Sequence, residues 1–380
     1  MDIPNTSNHS SLVLFQKTPV LVTFEEHNDA YIRPTSTVNS SVLDFFISCD
    51  RNIFVDMEKI YLKLTCKVNE QAATDTALPS NALFSLFENC IVKLNNEVIY
   101  NGQNLFAQKA FLETELTFTQ GKANTAGACQ GYHYESDPTN ADNNNFTMRK
   151  QWTENNKTKT FMGEFPLDFF GAGQLLVPGS QMRIQLIRHK RDFVLCCTEA
   201  TAANRPNAQI EITDISFKVR YSKVSESTYT SFLKMHQQTP VIYNYPETIT
   251  QIVNIPTGSH QLVKEDILPG SDIRRLTLAL TESTRLAGDY TRNPFAFQKH
   301  NLRQVKVIRA GIPIVDIDLS DNTEIYHKTI QSLHFQNDGP SVKLRNFANH
   351  FYMVFDLTTP GESNTEVIYP ETVAASLKLE

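Results

Sequence analysis

The sequence lacks the features that mark several large classes of protein. Its net charge is −6, so it has no excess of basic residues of the kind that broad nucleic-acid binding requires. No window approaches the roughly 18 apolar residues that span a bilayer, and the N-terminal region has no basic stretch followed by an apolar run, as a signal peptide would. The six cysteines contain no Cys-X-X-Cys pair. These absences predict a reducing place of synthesis, no disulfide framework and no insertion into a membrane.

The motifs of common enzyme families are missing as well. There is no P-loop and no Gly-X-Ser-X-Gly elbow, and Gly171-Ala172-Gly173 lacks the third glycine of a dinucleotide fingerprint. Glu113 and Glu115 lie in a predicted helix, where nothing marks them as a paired acid and base. Cys196-Cys197 has no evident activating histidine. The sequence therefore predicts no enzyme, no catalytic or cofactor-binding residue and no cofactor.

One short motif has a metal-binding interpretation. His133-Tyr134-Glu135 resembles two ligands of a two-His-one-carboxylate iron site, for which His300 or His327 would be the third. The alternative is an exposed polar loop, because the surrounding residues 120–160 are Asn-rich and show little periodicity. The loop interpretation is favoured, and no metal site is predicted.

The only dense basic run is Arg188-His189-Lys190-Arg191. Such a run can contact phosphate. At the end of a strand it more often forms a solvated edge or pairs with acidic neighbours. We predict no specific nucleic-acid partner.

Short strands dominate what the sequence does contain. In residues 60–68, apolar residues alternate strictly with Tyr, Lys and Thr, which is typical of an antiparallel strand with one buried face. Similar patterns predict strands at residues 42–49, 182–187, 193–197, 210–221, 241–245, 248–255, 273–280, 302–309, 351–357 and 374–379. Helices are predicted at residues 225–237, 283–288 and 322–335.

Residues 81–117 combine several of these signals. An apolar turn leads into a strand, Asn95-Asn96 predicts a two-residue hairpin turn, and an amphipathic helix follows the return strand. Nothing in this stretch is catalytic, so it indicates one corner of an antiparallel scaffold.

The length of 380 residues and the run of strand patterns predict two strand-rich halves. We expect an N-terminal arm at 1–39, a first sandwich at 40–222, a helical linker at 223–240 and a second sandwich at 241–380. Long connections favour a Greek-key or jelly-roll path over an up-and-down barrel.

Residues 81–117 also resemble the signature of the major capsid proteins of Polinton (Maverick) elements and their adintovirus and virophage-like relatives. The matching segments are residues 82–87, 92–95 and 108–114. Further segments match in the same order, at residues 56–64, 183–193, 293–301 and 349–358. The match at residues 293–301 assigns His300 to a structural loop, which weakens the case for His300 as an iron ligand.

The resemblance implies an all-β double jelly roll: two eight-stranded antiparallel sandwiches side by side, with short helices in the connections. Members of this family continue beyond the strand that matches residues 376–380. The second jelly roll is therefore expected to lack its last strand, through truncation or because a neighbour supplies it.

The function that the resemblance implies is that of a major capsid protein, which forms the icosahedral shell of a double-stranded DNA virus or virus-like element through pseudo-hexagonal trimeric capsomers. The expected partners are a homotrimer, neighbouring capsomers and penton or minor capsid proteins. The protein would be made in the host cytoplasm, assembled there or in the nucleus, and located in the virion capsid. The alternative function is a jelly-roll receptor- or carbohydrate-binding protein. Deleting residues 1–35 is expected to weaken assembly but to leave the fold intact.

Overall fold

The computed structural model describes residues 23–69, 76–135, 137–138, 144–197, 208–265, 267–268, 273–334, 339–358, 361, 363 and 377–379. Most of the predicted arm, including the apolar residues 12–15, and the start of the predicted strand at 374–379 lie outside these ranges.

The first half contains two main antiparallel sheets. One has five strands, which are β1 (Phe24–Ile32), β3 (Ile53–Asn69), β7 (Lys159–Glu164), β8 (Leu175–Leu176) and β11 (Gln209–Val224). The other has four, which are β2 (Val42–Ser48), β5 (Phe87–Leu94), β6 (Glu97–Asn101) and β9 (Gln181–Arg188). A separate short pair consists of β4 (Thr76–Ala77) and β10 (Cys196–Cys197).

The two main sheets pack through their apolar faces. Along β3, Leu62, Leu64 and Cys66 are fully buried, while the alternate residues face outward as the period-two pattern predicts. The ring of Phe45 on β2 meets the ring of Phe217 on β11 edge to face, with centroids 4.8 Å apart. The predicted strand at 60–68 is confirmed and is longer than predicted.

The hairpin between β5 and β6 is also confirmed. Asn95 and Asn96 have φ values of 48° and 74°, and Leu94 pairs with Glu97 across the turn. Asparagine tolerates positive φ at both central positions, which a right-twisted two-residue hairpin requires.

The second half contains five strands among the residues that the structure describes. They are β12 (Arg275–Ala279), β13 (Gln304–Arg309), β14 (Ile312–Asp318), β15 (Tyr352–Asp356) and β16 (Leu377–Leu379). β12 pairs with β15, and β13 lies between β14 and β16. The described part of this half therefore contains fewer than the eight strands that the family resemblance implies for each sandwich.

Helices occupy the connections. The α-helices are α1 (Ala82–Ser85), α2 (Phe106–Thr117), α3 (Gln120–Lys122), α4 (Ala128–Gln130), α5 (Asn144–Thr153), α6 (Arg191–Val194), α7 (Glu226–His236), α8 (Ser283–Ala287) and α9 (Asn322–Leu333). A π-helical turn covers Ala123–Gly127, and 3₁₀ turns cover Glu154–Asn156, Asp168–Ala172 and Leu344–Asn346. The Ser225 side chain caps α7 as predicted, by accepting from Thr228 N. None of the helices in the described ranges is long and apolar enough to cross a bilayer.

Several predictions about these elements are wrong. Residues 120–130 and 144–156 form helical segments, several of whose side chains are buried, rather than an exposed loop, and residues 193–194 belong to α6. Residues 241–245 and 248–255 form no strand. Residues 24–32, expected within the arm, pair along their length with β11, so a deletion ending at residue 35 would remove an edge strand.

Candidate functional site

Among the described residues, the densest set of buried polar and aromatic contacts lies between the two halves. Helix α2 and the residues after α4 approach it from the first half, and residues 289–301 and 341–352 approach it from the second. We call this region the junction.

An aromatic stack forms the apolar part of the junction. The ring of Phe295 is fully buried and lies parallel to that of Phe111 on α2, with centroids 4.4 Å apart and 5° between the planes. The ring of Phe193 packs edge-on against Phe295 at 5.6 Å. One side chain of the second half therefore fills a slot between two elements of the first half, which joins the two cores into one.

Glu115 organises the first polar group of the junction. Tyr132 donates its hydroxyl hydrogen to Glu115 Oε2 at 2.7 Å, and the Tyr132 oxygen also lies 3.1 Å from Ser341 Oγ in the second half. His350 Nδ1 lies 3.1 Å from Glu115 Oε1, and both of these side chains are about 1% exposed. Burial and the adjacent Glu115 carboxylate raise the pKa of Tyr132 well above its usual value, so its hydroxyl remains a donor.

Glu135 and Arg149 form the second polar group. Their side chains make an ion pair, and Arg149 is fully buried. Arg149 Nε also donates to Leu78 O at 2.7 Å, and Asn293 Nδ2 donates to Glu135 Oε2 at 2.9 Å. The backbone oxygen of Glu135 is bonded to His350 Nε2. The charges at this site are matched internally, which is the condition for burying them.

The structure does not bring the proposed iron ligands together. Glu135 is 4% exposed and bound to Arg149, whereas His300 and His327 are exposed. His133 is half-buried beside the Trp152 ring, and burial lowers the pKa of its imidazole. The described residues contain no cluster of three metal-ligating side chains. The favoured alternative, an exposed loop, is wrong as well, because Glu135 belongs to the junction.

The basic run is partly used in contacts within the chain. Arg188 Nη2 donates to Ile210 O at 2.9 Å, and Arg191 lies over the Tyr290 ring at 5.6 Å. The His189 ring stacks on Phe193 at 3.7 Å, and burial lowers the pKa of its imidazole to about 4, so it is neutral at pH 7. These contacts fit a structural strand end.

Glu113 and the cysteines are the remaining residues considered for catalysis, and their contacts and burial are those of structural residues. Glu113 pairs with Lys109 at 2.9 Å, and Lys109 in turn contacts Asp168 at 3.3 Å. Burial raises the pKa of Cys196 to about 11, so its thiol stays protonated and unreactive. Cys129 on α4 is exposed, whereas the other five cysteines are buried.

Sequence reasoning missed most of the junction. Arg149 and Ser341 lie in none of the matching segments, and nothing in the sequence marks Glu115 as a partner of His350. The available signals are Asn293 and His350, which lie in the segments at 293–301 and 349–358 that resemble the capsid family.

The fold class follows from this geometry. Two antiparallel sandwiches joined side by side along one chain, with helices in the connections, form a double jelly roll. The predicted fold class is confirmed.

One comparison with a solved structure agrees with this class. The chain is similar to a chain of the Sputnik virophage structure, with a TM-score of 0.64 and 12% identity, over 100% of this chain and 85% of that one. It also aligns with the mavirus major capsid protein (TM-score 0.49, 9% identity, 100% of this chain and 87% of that one). The Faustovirus major capsid protein aligns with a TM-score of 0.48 and 8% identity, over 98% of this chain and 91% of that one. No protein-family model matches the sequence, and no curated protein matches it. At 12% identity the Sputnik match establishes the fold, and at that level it agrees with the resemblance seen in the motifs.

Proposed function

We propose that the protein is the major capsid protein of a double-stranded DNA virus or virus-like element related to the Polinton and virophage group. It would form an icosahedral shell through pseudo-hexagonal homotrimeric capsomers. The observation that carries the proposal is the shared fold, along the full length of this chain, with a chain from a virophage particle. The ordered motif matches from residue 56 to 358 point to the same family.

The junction supports a structural role. A shell subunit must hold its two jelly rolls in one fixed arrangement, because both present contacts to neighbouring copies. The Phe111–Phe295 stack and the Glu115–His350 pair, both buried, provide that fixed connection. The charged side chains of the junction are paired within the chain, Glu115 with His350 and Glu135 with Arg149, which suits a scaffold rather than an enzyme.

The proposed partners are two further copies of the chain in the trimer, neighbouring capsomers, and penton or minor capsid proteins. The protein would be located in the virion capsid, after synthesis in the host cytoplasm and assembly in the cytoplasm or nucleus. The proposed organisation is an N-terminal arm that ends before β1, a first jelly roll that extends from β1 to residue 222, a helical linker at 223–240 and a second jelly roll at 241–380.

Microscopy of the full-length expressed protein tests the proposal. We expect a particle of three times the 43.1 kDa chain mass by light scattering, and pseudo-hexagonal capsomers or closed shells in negative stain. A monomer that forms neither at any concentration would overturn the proposal.

The alternative function, a receptor- or carbohydrate-binding protein, needs an accessible aromatic surface. The Phe111, Phe193 and Phe295 rings are buried in the junction, so they are not such a surface. A glycan-binding screen of the same preparation distinguishes the two functions, since specific sugar binding by a monomer would favour the alternative.

A further inference from the structure

The exposed apolar side chains are concentrated in one part of the chain. Fourteen large hydrophobic residues are exposed among those that the structure describes, and eight of them lie between Leu233 and Val263. They are Leu233, Met235, Ile242, Ile249, Ile252, Val253, Ile255 and Val263. Scattered single apolar residues on a surface need no explanation, but a concentration of this kind marks an interaction site.

The chain is anchored to the first half just before the centre of this region. The Tyr243 hydroxyl accepts from Val177 N at 3.1 Å and donates to Leu175 O at 3.2 Å. Thr248 N donates to Asp168 Oδ2 at 2.8 Å. Residues 241–248 are thereby held against the body, and the chain leaves this anchor at residue 249.

Beyond the anchor the backbone N–H groups have no partner within the described part of the chain. No backbone N–H from residue 249 to residue 258 donates a hydrogen bond there, and residues 251–260 are all exposed. We call residues 249–258 the exposed segment. It ends in a turn that Ser259 N closes on Pro256 O, and the seven residues before that turn reach about 23 Å when extended, which is the length of an ordinary strand.

The composition of the exposed segment is that of a strand. Ile249, Ile252, Val253 and Ile255 are β-branched and fall within seven residues, which is why the sequence predicts a strand at 248–255. A strand needs a neighbour that supplies backbone hydrogen bonds, and the described residues supply none here. The local sequence therefore fits a pairing that a single copy of the chain does not make.

We infer that the exposed segment is an interface strand that pairs, through its backbone and its β-branched side chains, with an open sheet edge of a second copy of this chain. The inference rests on the proposed function, in which each subunit contacts other copies. It goes beyond that function because it assigns the contact to particular residues.

Charge favours a second copy over other partners. The exposed segment contains no acidic or basic residue, so it does not attract nucleic acid, an anionic membrane or a charged peptide. It also meets no repulsion from a chain whose net charge is −6. Among the described strands, β6 and β14 each end a sheet, so every copy presents such edges within the described part of the chain. A contact between two different surfaces of identical chains can close into a ring of three.

Substitution in the exposed segment tests the inference. Ile252→Asp combined with Ile255→Asp places two charges where an apolar strand contact is proposed. The residues are 54% and 49% exposed, so the fold of the subunit has no reason to change. We expect the midpoint concentration for assembly of the trimer to rise by at least about tenfold, as measured by light scattering. The matched control is Leu344→Asp, because Leu344 is 42% exposed and lies in the 3₁₀ turn Leu344–Asn346, outside the exposed segment and outside any strand.

Hydrogen exchange on the unmodified protein gives an independent measurement. In the assembled protein the amides of residues 249–258 should exchange slowly, and on dilution to monomer they should exchange at the rate of an unstructured chain. The inference is overturned if the double variant assembles as well as the wild type and the amides of residues 249–258 exchange fast in the assembled wild type. In that case the proposed function still stands. Equal weakening by the control overturns the assignment to this segment. A wild-type protein that stays monomeric overturns both.

Discussion

The Glu115 carboxylate on helix α2 lies 3.1 Å from the imidazole of His350 in the second half, and both side chains are almost completely buried. The other ring nitrogen of His350 is bonded to the backbone oxygen of Glu135. Both nitrogens thus lie close to oxygen atoms of the first half. The pair is a direct contact between two halves of one chain that are far apart in sequence.

A double-mutant cycle measures how strongly this contact couples the halves. We expect Glu115→Gln and His350→Gln each to lower the free energy of unfolding. The double variant should lose less than the sum of the two, with a coupling of about 1–3 kcal/mol, because each single change leaves one buried group without its partner. Chemical denaturation of the four proteins provides the measurement, and strictly additive losses would contradict a direct interaction.

The aromatic stack at the junction should contribute more than any exposed ring. Phe295→Ala removes a fully buried ring that lies against Phe111 and Phe193, and we expect a loss of about 3–5 kcal/mol in unfolding free energy. Phe46→Ala is the matched control. Its ring is 49% exposed and contacts Arg183 at 5.1 Å, so its loss should stay below about 1 kcal/mol. Similar losses for both variants would mean that Phe295 does not join the two cores.

The buried ion pair should depend on both partners. Arg149→Met leaves the Glu135 carboxylate buried and without its guanidinium, and we expect a loss of about 3–5 kcal/mol. Adding Glu135→Leu should recover much of this loss, because the stranded charge is then gone. The exposed pair Arg51–Glu226 is the control, since Arg51→Met should cost less than about 1 kcal/mol. A thermal melt of each variant measures the order of their stabilities. Failure of Glu135→Leu to restore stability in the Arg149→Met background would contradict the prediction.

Acid should remove a defined part of the stability through Asp356. Burial acts to raise the pKa of this carboxyl, but hydrogen bonds from Thr358 and from Ser363 outweigh it and hold the pKa at about 2, below the unfolded value of 3.8. A depressed pKa stabilises the folded state above pH 3.8, and that contribution is lost as the pH falls towards 2.

The comparison of the wild type with Asp356→Asn tests this effect. Above pH 5 we expect the variant to be less stable by about 1 kcal/mol, and the difference should shrink between pH 4 and pH 2. Asp29→Asn is the control, because hydrogen bonds from Arg220 and Lys218 also hold the pKa of Asp29 at about 2, but its side chain is more exposed than that of Asp356. Its effect should be smaller and should weaken with added salt. A stability difference for Asp356→Asn that does not change with pH would contradict the assignment.

Gly131 should tolerate no side chain. Its φ is +80°, and a Cβ there would lie 2.8 Å from Phe161 Cε1, so we expect Gly131→Ala to cost about 2–4 kcal/mol. Gly179 has a φ of +84°, and a Cβ there would meet nothing within 4 Å, so Gly179→Ala isolates the cost of the backbone conformation, about 1 kcal/mol. Melting temperatures of the two variants give the comparison, and equal shifts would show that the Phe161 contact is not limiting.

Local pattern predicts the strands and turns that depend on neighbours in the sequence. The alternation in β3, the positive φ of Asn95 and Asn96 and the Ser225 cap are all short-range effects, and each follows from adjacent residues. Helix α2 is amphipathic by pattern, yet Gln108, Lys109 and Glu115 are buried along with its apolar residues. Their burial depends on partners such as Asp168 and His350, which no local pattern reveals.

The junction could not be predicted for the same reason. Residues 120–160 are polar, and a polar stretch is expected in solvent unless partners elsewhere satisfy it. Arg149 contacts Leu78 and Glu135. Glu135 in turn contacts Asn293 and His350, the latter 215 positions away in the chain. At 248–255 the reverse holds. The composition predicts a strand, but no strand forms, because the described residues supply no neighbouring strand with which it could pair.

The burial of all cysteines except Cys129 has a practical consequence. Each subunit carries one readily accessible thiol, located on α4 immediately before the turn at Gly131. A maleimide-linked gold cluster would therefore attach at one defined corner of every copy. In an image of an assembled particle, the spacing of the gold markers would report how the subunits are arranged without any engineered tag.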